Sequence, residues 1–228
     1  MKKNKPPIKK DKAGFFRTIW VIIASLYYIA ATCSRSVIRS YFGKTTRSWV
    51  DARMQLWAKQ TLRLWNITCS VHNPNHVSPK LGQPTIIMCN HSSLFDIPLS
   101  YHAFPNTSLR MLAKKEMSKY PIMGRGMRAA EFPFVDRKNR RQAIQDLKYI
   151  HKLLASGIVP EGTRALDGRV GPFKKGGFIT AIQTKAMIIP IGIRGAFDII
   201  PAKTYDFYLN KTSEVHIGEP IDASQFTL

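Results

Sequence analysis

Cysteine is scarce in this chain of 228 residues, and its spacing follows no pattern. Cys33, Cys69 and Cys89 lie far apart, and none forms a C-x-x-C pair or a Cys/His metal spacing. These observations exclude a disulfide scaffold and a zinc module, and we expect no metal site. Free thiols in this number are typical of a protein of a reducing compartment.

Acidic residues are also few. The chain has 14 Asp and Glu against 35 Lys and Arg, which gives a formal net charge of +21. A field of this sign attracts nucleic acid, a membrane surface or a phosphorylated substrate. The sequence has no glycine-rich nucleotide-binding loop, so a nucleotide cofactor is not expected.

The chain does have enough apolar sequence for a core. Hydrophobic residues make up 44% and charged residues 21%, which is typical of a globular protein. The length favours one domain of the size of a catalytic domain, with a small appendage. We divide the chain into a basic disordered arm at 1–12, a membrane-associated two-helix segment at 13–65 and an α/β domain at 66–228.

A stretch without charge follows the basic arm. The seventeen residues Thr18–Ser34 contain no charged side chain. As a helix they would be about 26 Å long, slightly less than the hydrocarbon thickness of a bilayer. A cleaved signal peptide would need a small-residue cleavage site, and a buried soluble helix would have one apolar stripe rather than an apolar circumference. We therefore expect membrane insertion, and leave open whether the helix spans or enters one leaflet.

The spacing of apolar residues predicts a second helix over Arg47–Trp65. Its apolar positions recur at steps of three and four, and its basic residues lie mostly elsewhere on the helical wheel. The three tryptophans Trp49, Trp57 and Trp65 would suit a membrane interface. Packing against a protein core would produce the same pattern, so both interpretations stay open.

After Trp65 the sequence alternates between strand and helix patterns. The predicted strands are Asn66–His72, Thr85–Cys89, Leu109–Ala113, Phe132–Val135, Ile158–Val159, Met187–Ile193 and Val215–Ile217. Helices are predicted over Arg140–Ser156, closed by Gly157 as a C-terminal cap, and over Gly176–Thr184. This alternation predicts an αβα sandwich with a mixed, largely parallel sheet, preceded by the membrane-associated helical pair.

A histidine and an aspartate follow the predicted interior strand. We expect the strand-to-helix turn to place His91 at a helix N-terminus, with Asp96 about one turn into the helix. An imidazole oriented by a carboxylate is the arrangement of a general base. Ser93 and Asp96 also fit a capping box, in which Asp96 would stabilise the helix start instead. Cys89 closes an apolar strand and is interpreted as a small buried residue.

Basic residues follow three further predicted strands. Lys114 comes after the first, Arg137 after the second, and the segment Pro160–Arg164 after the third. A cation just past a strand end is well placed for a phosphate group. For Lys115 and the neighbouring basic residues Lys138 and Arg140, ordinary surface positions explain the charge.

Four blocks together resemble the 1-acylglycerol-3-phosphate acyltransferases of the glycerolipid acyltransferase family. That family is marked by N-H-x-x-x-x-D, an aromatic-aliphatic-x-Arg block, P-E-G-T-R and an aliphatic-Pro-aliphatic strand. Here the blocks are Asn90–Asp96, Phe134–Arg137, Pro160–Arg164 and Ile188–Ile191, in family order. The match covers residues 65–195.

The resemblance implies transfer of a fatty acyl group from acyl-CoA or acyl-carrier protein to the sn-2 hydroxyl of lysophosphatidic acid. The product would be phosphatidic acid, and another lysophospholipid or lipid acceptor stays open as the alternative. His91 would be the general base, Asp96 its orienting partner, and backbone N–H groups near Gly162 would hold the oxyanion. The implied glycerol-phosphate contacts are Lys114, Arg137, Glu161, Thr163 and Arg164.

The same resemblance gives the other features a common explanation. It implies no cofactor besides the acyl donor as co-substrate, a lysophospholipid acceptor in the bilayer, and an active site on the cytoplasmic face of a membrane. A nucleic-acid-binding protein would explain the charge but not the apolar stretch. A non-catalytic membrane adaptor would have no need of His91 with Asp96.

Overall fold

The computed structural model describes residues 14–136, 156–160, 167–171, 173–202, 204 and 206–227, with 156–160 described by their backbone. The helices are α1 Phe15–Tyr41, α2 Arg47–Leu64, α3 Asp96–Ala103, α4 Pro121–Ala129 and α5 Lys175–Thr184. The strands are β1 Thr68–His72, β2 Thr85–Cys89, β3 Arg110–Met111, β4 Ala113–Lys114, β5 Phe134–Val135, β6 Ser156–Pro160, β7 Met187–Arg194, β8 Thr212–Ile217 and β9 Ile221–Asp222. The predicted basic arm 1–12 lies outside the described residues.

The main sheet is mixed, with a parallel centre. Its order among the described strands is β1-β8-β7-β2-β6-β3, and β9 pairs with β7. β2 is parallel to both of its neighbours, β6 and β7, and β3 is parallel to β6. β8 and β9 run antiparallel to β7. The predicted fold class is therefore confirmed.

Helices cover both faces of the sheet centre. All five residues of β2 are buried, as expected of an interior strand between helical layers. Ile87 and Cys89 face the larger core, which contains residues of α2 and α3. Ile86 and Met88 face a smaller core with Ala181 of α5. The residues that follow β2 therefore begin at the centre of the sheet.

Helix α1 is longer than the uncharged stretch predicted. Its 27 residues give a length of about 40 Å. Among the residues that the structure describes, it is the one helix long and apolar enough to cross a membrane. Its large apolar residues are exposed at steps of three and four, and we call them the apolar stripe: Phe16, Ile19, Trp20, Ile23, Leu26 and Tyr27.

The opposite face of α1 packs against the protein. Val21 and Ala24 are buried, and Ser25 accepts a hydrogen bond from the indole of Trp65 at 2.9 Å. Trp65 is 3% exposed, so at this position core packing rather than a membrane interface explains the tryptophan. Val50, Ala58 and Leu62 of α2 join the same core. α2 begins where Thr46 caps it by accepting the Trp49 backbone N–H.

Helix α4 was not predicted; its nine residues include two glycines, which are unfavourable inside a helix. Gly126 lies directly against α1: a Cβ at this position would be 2.5 Å from the Cβ of Cys33. Gly124 lies as close to the backbone of Ser118. Both glycines therefore permit a close approach that any larger residue would prevent.

Two predictions about secondary structure are wrong. Ser156 and Gly157 are strand residues of β6, so Gly157 pairs with Ile86 instead of capping a helix. The rest of the predicted helix Arg140–Ser156 lies outside the described residues. The predicted strand Leu109–Ala113 divides into two: β3 joins the main sheet, whereas β4 pairs with β5 in a separate two-stranded sheet.

Candidate active site

The turn after β2 holds the predicted acid–base residues. We call the segment Asn90–Asp96 the dyad turn. Helix α3 begins at Asp96 itself, so the prediction that His91 sits at the helix N-terminus, with Asp96 one turn in, is wrong. Pro98 follows at the third helical position, where a missing N–H costs no hydrogen bond. Asp96, the first residue of α3, has its side chain next to His91.

Asp96 makes three hydrogen bonds with one oxygen. Its Oδ2 accepts the backbone N–H groups of Ser92 at 2.7 Å and Ser93 at 2.9 Å. The same oxygen lies 2.8 Å from Nδ1 of His91. Asp96 is 1% exposed, and its Oδ1 has no hydrogen-bond partner among the described residues. A carboxylate buried in this way is held by the turn that it closes.

This contact decides which nitrogen of His91 is available. An ionised carboxylate has no proton to give, so Nδ1 of His91 donates and Nε2 carries the lone pair. The His91 side chain is 17% exposed, compared with 2% for Asp96. His91 can therefore accept a proton at Nε2, and the nearby carboxylate stabilises the imidazolium that results.

Both interpretations of Asp96 are correct in part. A capping box needs the Asp96 carboxylate on the Ser93 N–H and the Ser93 hydroxyl on the Asp96 N–H. The first bond is present, but the Ser93 hydroxyl accepts the backbone N–H of Phe95 at 3.3 Å instead of that of Asp96, and it donates to the carbonyl of Ile200 at 3.0 Å. Asp96 thus closes the turn and holds the histidine with the same atom.

The dyad turn is also tied to the sheet and to α1. Asn90 makes two hydrogen bonds to the backbone of Ile193 on β7, at 2.7 and 2.8 Å. Phe95 packs edge-to-face on Trp65, with ring centroids 4.9 Å apart, and Trp65 donates to Ser25 of α1. The sequence analysis did not assign a role to Asn90, because its contact lies on a strand about 100 residues away.

The predicted phosphate-binding residues are only partly described. Lys114 is exposed on β4, opposite Val135 of β5. Lys115 pairs with Asp136 at 3.2 Å, as a surface residue would. Arg137, Glu161, Gly162, Thr163 and Arg164 lie outside the described residues. Pro160, which precedes Glu161, is paired with Cys89, which precedes Asn90.

A further polar cluster was missed because its residues are far apart in the chain. His72 on β1 lies beside His216 on β8, and Glu214 shares their face, with ligand atoms within 4.8 Å of one another. The two rings are stacked, 4.4 Å apart and 7° from parallel. Because each nitrogen lone pair lies in its own ring plane, the two do not converge on one point. Arg194, 3.7 Å from Glu214, competes for the carboxylate.

The two cysteines that lie in strands, Cys69 and Cys89, are poor nucleophiles near neutral pH. Burial raises the pKa of Cys69 to about 11, so the thiolate is scarce. Cys89 is buried within β2, as the sequence predicted. Neither strand cysteine is therefore a good candidate for a covalent thioester intermediate.

The sequence of this chain is similar to that of known acyltransferases. A family model described as Acyltransferase matches residues 68–194, more than half of the chain. The chain is 39% identical over 115 residues to a 1-acyl-sn-glycerol-3-phosphate acyltransferase of Cocos nucifera, covering 48% of this chain and 37% of that protein. It is 30% identical over 151 residues to a chloroplastic 1-acyl-sn-glycerol-3-phosphate acyltransferase of Arabidopsis thaliana, covering 64% and 42%. The chain thus spans about two fifths of these relatives' length.

A solved structure matches over more of its length. The crystal structure of the 1-acyl-sn-glycerophosphate (LPA) acyltransferase PlsC from Thermotoga maritima superposes with a TM-score of 0.78 at 25% sequence identity. The superposition covers 93% of this chain and 87% of that chain.

Proposed function

The chain belongs to the acyltransferase family, and on that premise we propose that it acylates lysophosphatidic acid at the sn-2 hydroxyl, giving phosphatidic acid. The acyl donor is a thioester of CoA or of acyl-carrier protein. The observation that carries the proposal is the His91–Asp96 contact of 2.8 Å at the carboxyl end of a buried parallel strand. Ligand sites of open α/β sheets lie at this edge.

The proposed reaction uses His91 as the general base. Nε2 takes the proton of the acceptor hydroxyl while the oxygen attacks the thioester carbonyl. The tetrahedral intermediate collapses, the C–S bond breaks, and the thiolate takes the proton back from the imidazolium. General-base catalysis of this kind contributes about 10²–10⁴ in rate. Backbone N–H groups near Gly162 would hold the oxyanion, a contribution of about 10²–10³.

The acceptor phosphate is proposed to bind at basic residues at the end of β4 and after β5 and β6. These are Lys114, Arg137 and Arg164, with Thr163 as a hydroxyl donor. Glu161 has the charge of the phosphate, so it would accept a hydroxyl hydrogen bond or orient an arginine. The pairing of Pro160 with Cys89 supports this assignment, because it places the last described residue of β6 beside the last residue of β2.

The proposed location is a membrane, with the active site on its cytoplasmic face. The apolar stripe of α1 is exposed, and the opposite face of α1 is covered by Trp65 and Gly126. A helix with one face on its own protein is best placed lying in one leaflet. The net charge of +21 would draw anionic lipid and the anionic acyl donor to the same surface.

An acceptor panel tests the proposed reaction. The full chain in lipid–detergent micelles is given radiolabelled acyl-CoA or acyl-carrier protein with lysophosphatidic acid, lysophosphatidylglycerol, lysophosphatidylcholine or glycerol 3-phosphate. We expect phosphatidic acid as the main product and the highest kcat/KM with lysophosphatidic acid. Efficient acylation of a different acceptor would overturn the substrate assignment, and no His91-dependent acyl transfer would overturn the reaction.

Arg164→Lys tests the phosphate site. Lysine keeps the charge but loses the planar fork that binds two phosphate oxygens. We expect a raised KM for lysophosphatidic acid, a smaller fall in kcat and little change in KM for the acyl donor, because the phosphate is bound before and during reaction. A rise confined to the donor KM would assign Arg164 to the acyl-donor site.

A further inference from the structure

Asn90 is the residue at which β2 leaves the sheet. β2 and β7 pair in parallel as far as Cys89 and Ile191. Two residues further along β7, the backbone N–H of Ile193 donates to Oδ1 of Asn90 at 2.7 Å, and Nδ2 donates to the Ile193 carbonyl at 2.8 Å. A side-chain amide has the same donor and acceptor as a peptide group. Asn90 therefore makes with its side chain the two bonds that a longer β2 would make with its backbone.

Because the Asn90 side chain makes these bonds, the backbone after Asn90 does not have to continue along β7 and can turn away directly. The next residue is His91, which departs from the sheet while Asn90 stays attached to β7. Asn90 is 8% exposed, and both polar atoms of its amide are occupied by Ile193. Its effect on a reaction at His91 is therefore indirect.

We propose that Asn90 is a positioning residue: its amide fixes the place where the dyad turn leaves the sheet, and so the place of the His91 imidazole. The proposal rests on the proposed function of His91 as general base. The hydrogen bonds of Asp96 hold His91 relative to the turn, but all three lie within the turn. The bonds of Asn90 to Ile193 hold the turn relative to the sheet, helped by the Ser93 hydroxyl on the Ile200 carbonyl.

The expected effect follows from how steeply rate depends on placement. A displacement of about 1 Å of a reacting group can cost about 10²-fold in rate. Loss of the two Asn90 bonds removes one of the two attachments to the β7 side, and Ser93 keeps the other. We therefore expect a 10–100-fold fall in kcat, with each KM within about twofold.

The chain offers a matched control in Asn73. Its Nδ2 donates to the Val77 carbonyl at 2.9 Å, and its Oδ1 accepts the Val77 backbone N–H at 2.8 Å. Asn73→Ala therefore deletes the same pair of bonds as Asn90→Ala, in the loop after β1. A purely structural role predicts that the two variants behave alike.

The first experiment compares the two alanine variants by steady-state kinetics and thermal unfolding, assayed well below both melting temperatures. We expect both to lower Tm, and only Asn90→Ala to lower kcat, by 10–100-fold. A normal kcat for Asn90→Ala, or an equal fall in Asn73→Ala, would overturn the proposal.

A second variant, Asn90→Asp, gives a signature in the pH profile. The ionised side chain still accepts the Ile193 N–H but sets a negative charge against the Ile193 carbonyl. When protonated, it regains the missing donor and has the shape of the amide. The ratio of kcat for Asn90→Asp to kcat for the wild type should therefore rise toward acid pH. A ratio that is far below one and stays flat or falls toward acid pH contradicts the proposal.

A third measurement does not depend on turnover. In the full chain labelled with ¹⁵N-histidine, the spectrum of His91→Ala identifies the His91 signals. We expect Asn90→Ala to shift them and Asn73→Ala to leave them in place, and unshifted signals in Asn90→Ala would overturn the proposal. If His91→Ala retains acyl transfer, the proposed function fails. If His91→Ala is inactive but Asn90→Ala turns over normally, only the role of Asn90 fails.

Discussion

Helix α1 and the dyad turn depart from ordinary protein architecture in opposite directions. α1 exposes large apolar side chains, with Phe16 85% and Trp20 63% exposed. The dyad turn buries polar ones, with Ser93 and Asp96 almost inaccessible to water. Contiguous exposed apolar residues mark a contact with membrane or protein, and buried polar groups are retained where hydrogen bonds or chemistry need them. In the proposed function, the apolar stripe of α1 determines where the protein is located and the dyad turn determines which reaction it catalyses.

The two regions are connected by one short path. Ser25 of α1 accepts from Trp65, and Trp65 packs on Phe95, the residue before Asp96. The exposed helix α1 and the His91–Asp96 pair are thus connected through one buried indole. The comparison therefore makes separable predictions: changes in the turn should alter chemistry, and changes in the stripe should alter membrane binding.

The largest effect is expected from His91→Ala. Removing the base should lower kcat about 10²–10⁴-fold. The matched control is His102→Ala, at an exposed histidine in the last turn of α3. Steady-state assays and sedimentation with vesicles check both readouts. Near-normal turnover in His91→Ala, or lost vesicle binding, would contradict the separation.

The next largest effect is expected on membrane binding when the apolar stripe is made polar. Phe16→Ser, Trp20→Ser and Leu26→Ser together should weaken vesicle binding about 100-fold, taking roughly 1 kcal/mol for each partly inserted side chain. Surface substitutions are preferable to deleting residues 1–35, because Val21 belongs to the main core.

The control for the stripe is Leu81→Ser, at a fully exposed leucine in the loop before β2. It removes apolar surface from the opposite end of that strand and should leave binding unchanged. Activity of the stripe variant toward a detergent-soluble acceptor should be close to that of the wild type. Equal binding by both variants would show that α1 is not the membrane contact.

Asp96→Asn separates the two roles of that carboxylate. The amide oxygen can keep the hydrogen bonds of Ser92 and Ser93, so the start of α3 should form. The charge that stabilises imidazolium is lost, and we expect kcat to fall about 10–100-fold because a charge-assisted hydrogen bond is about twice as strong as a neutral one. Kinetics and thermal unfolding of Asp96→Asn and Asp96→Ala check this. An unchanged kcat in Asp96→Asn would show that Asp96 acts only as a helix cap.

The smallest effect is expected at the connection between the regions. Trp65→Phe removes the indole N–H that Ser25 accepts and keeps an aromatic ring against Phe95. The loss of one hydrogen bond should cost about 1 kcal/mol and lower Tm by about 2–4 °C. Trp57→Phe, at a partly exposed tryptophan of the same helix, is the comparison. A larger loss for Trp57→Phe would show that the indole hydrogen bond is not the contact that matters.

Sequence predicted those parts that depend on local pattern. Thr85–Cys89 is a buried strand with the predicted limits, because five apolar or small residues before a polar turn have few alternatives. The partnership of His91 with Asp96 was also predicted and is present. Gly157 was assigned to the wrong element because a helix C-cap and a strand both accept glycine, and only pairing with β2 decides between them.

Other features depend on contacts that no local pattern contains. The bonds of Asn90 to Ile193 join residues 103 apart. The glycines of α4 interrupt its pattern because they are selected by a neighbouring helix, not by their own. The roles of the phosphate-binding residues stay predictions, since most of them lie outside the described part of the chain.

Gly126 has a consequence for how deeply the protein would insert into the proposed membrane. With the Cβ of Cys33 only 2.5 Å from where a Cβ at position 126 would be, α1 and α4 approach at the minimum distance that backbones allow. Even one methyl group there would push α1 outward. If α1 contacts the membrane as proposed, the offset of α1 from α4 would set the height of the lipid surface relative to the His91 imidazole. On that proposal, the missing side chain at Gly126 would also set how far an acceptor hydroxyl must extend from the lipid surface to reach Nε2 of His91.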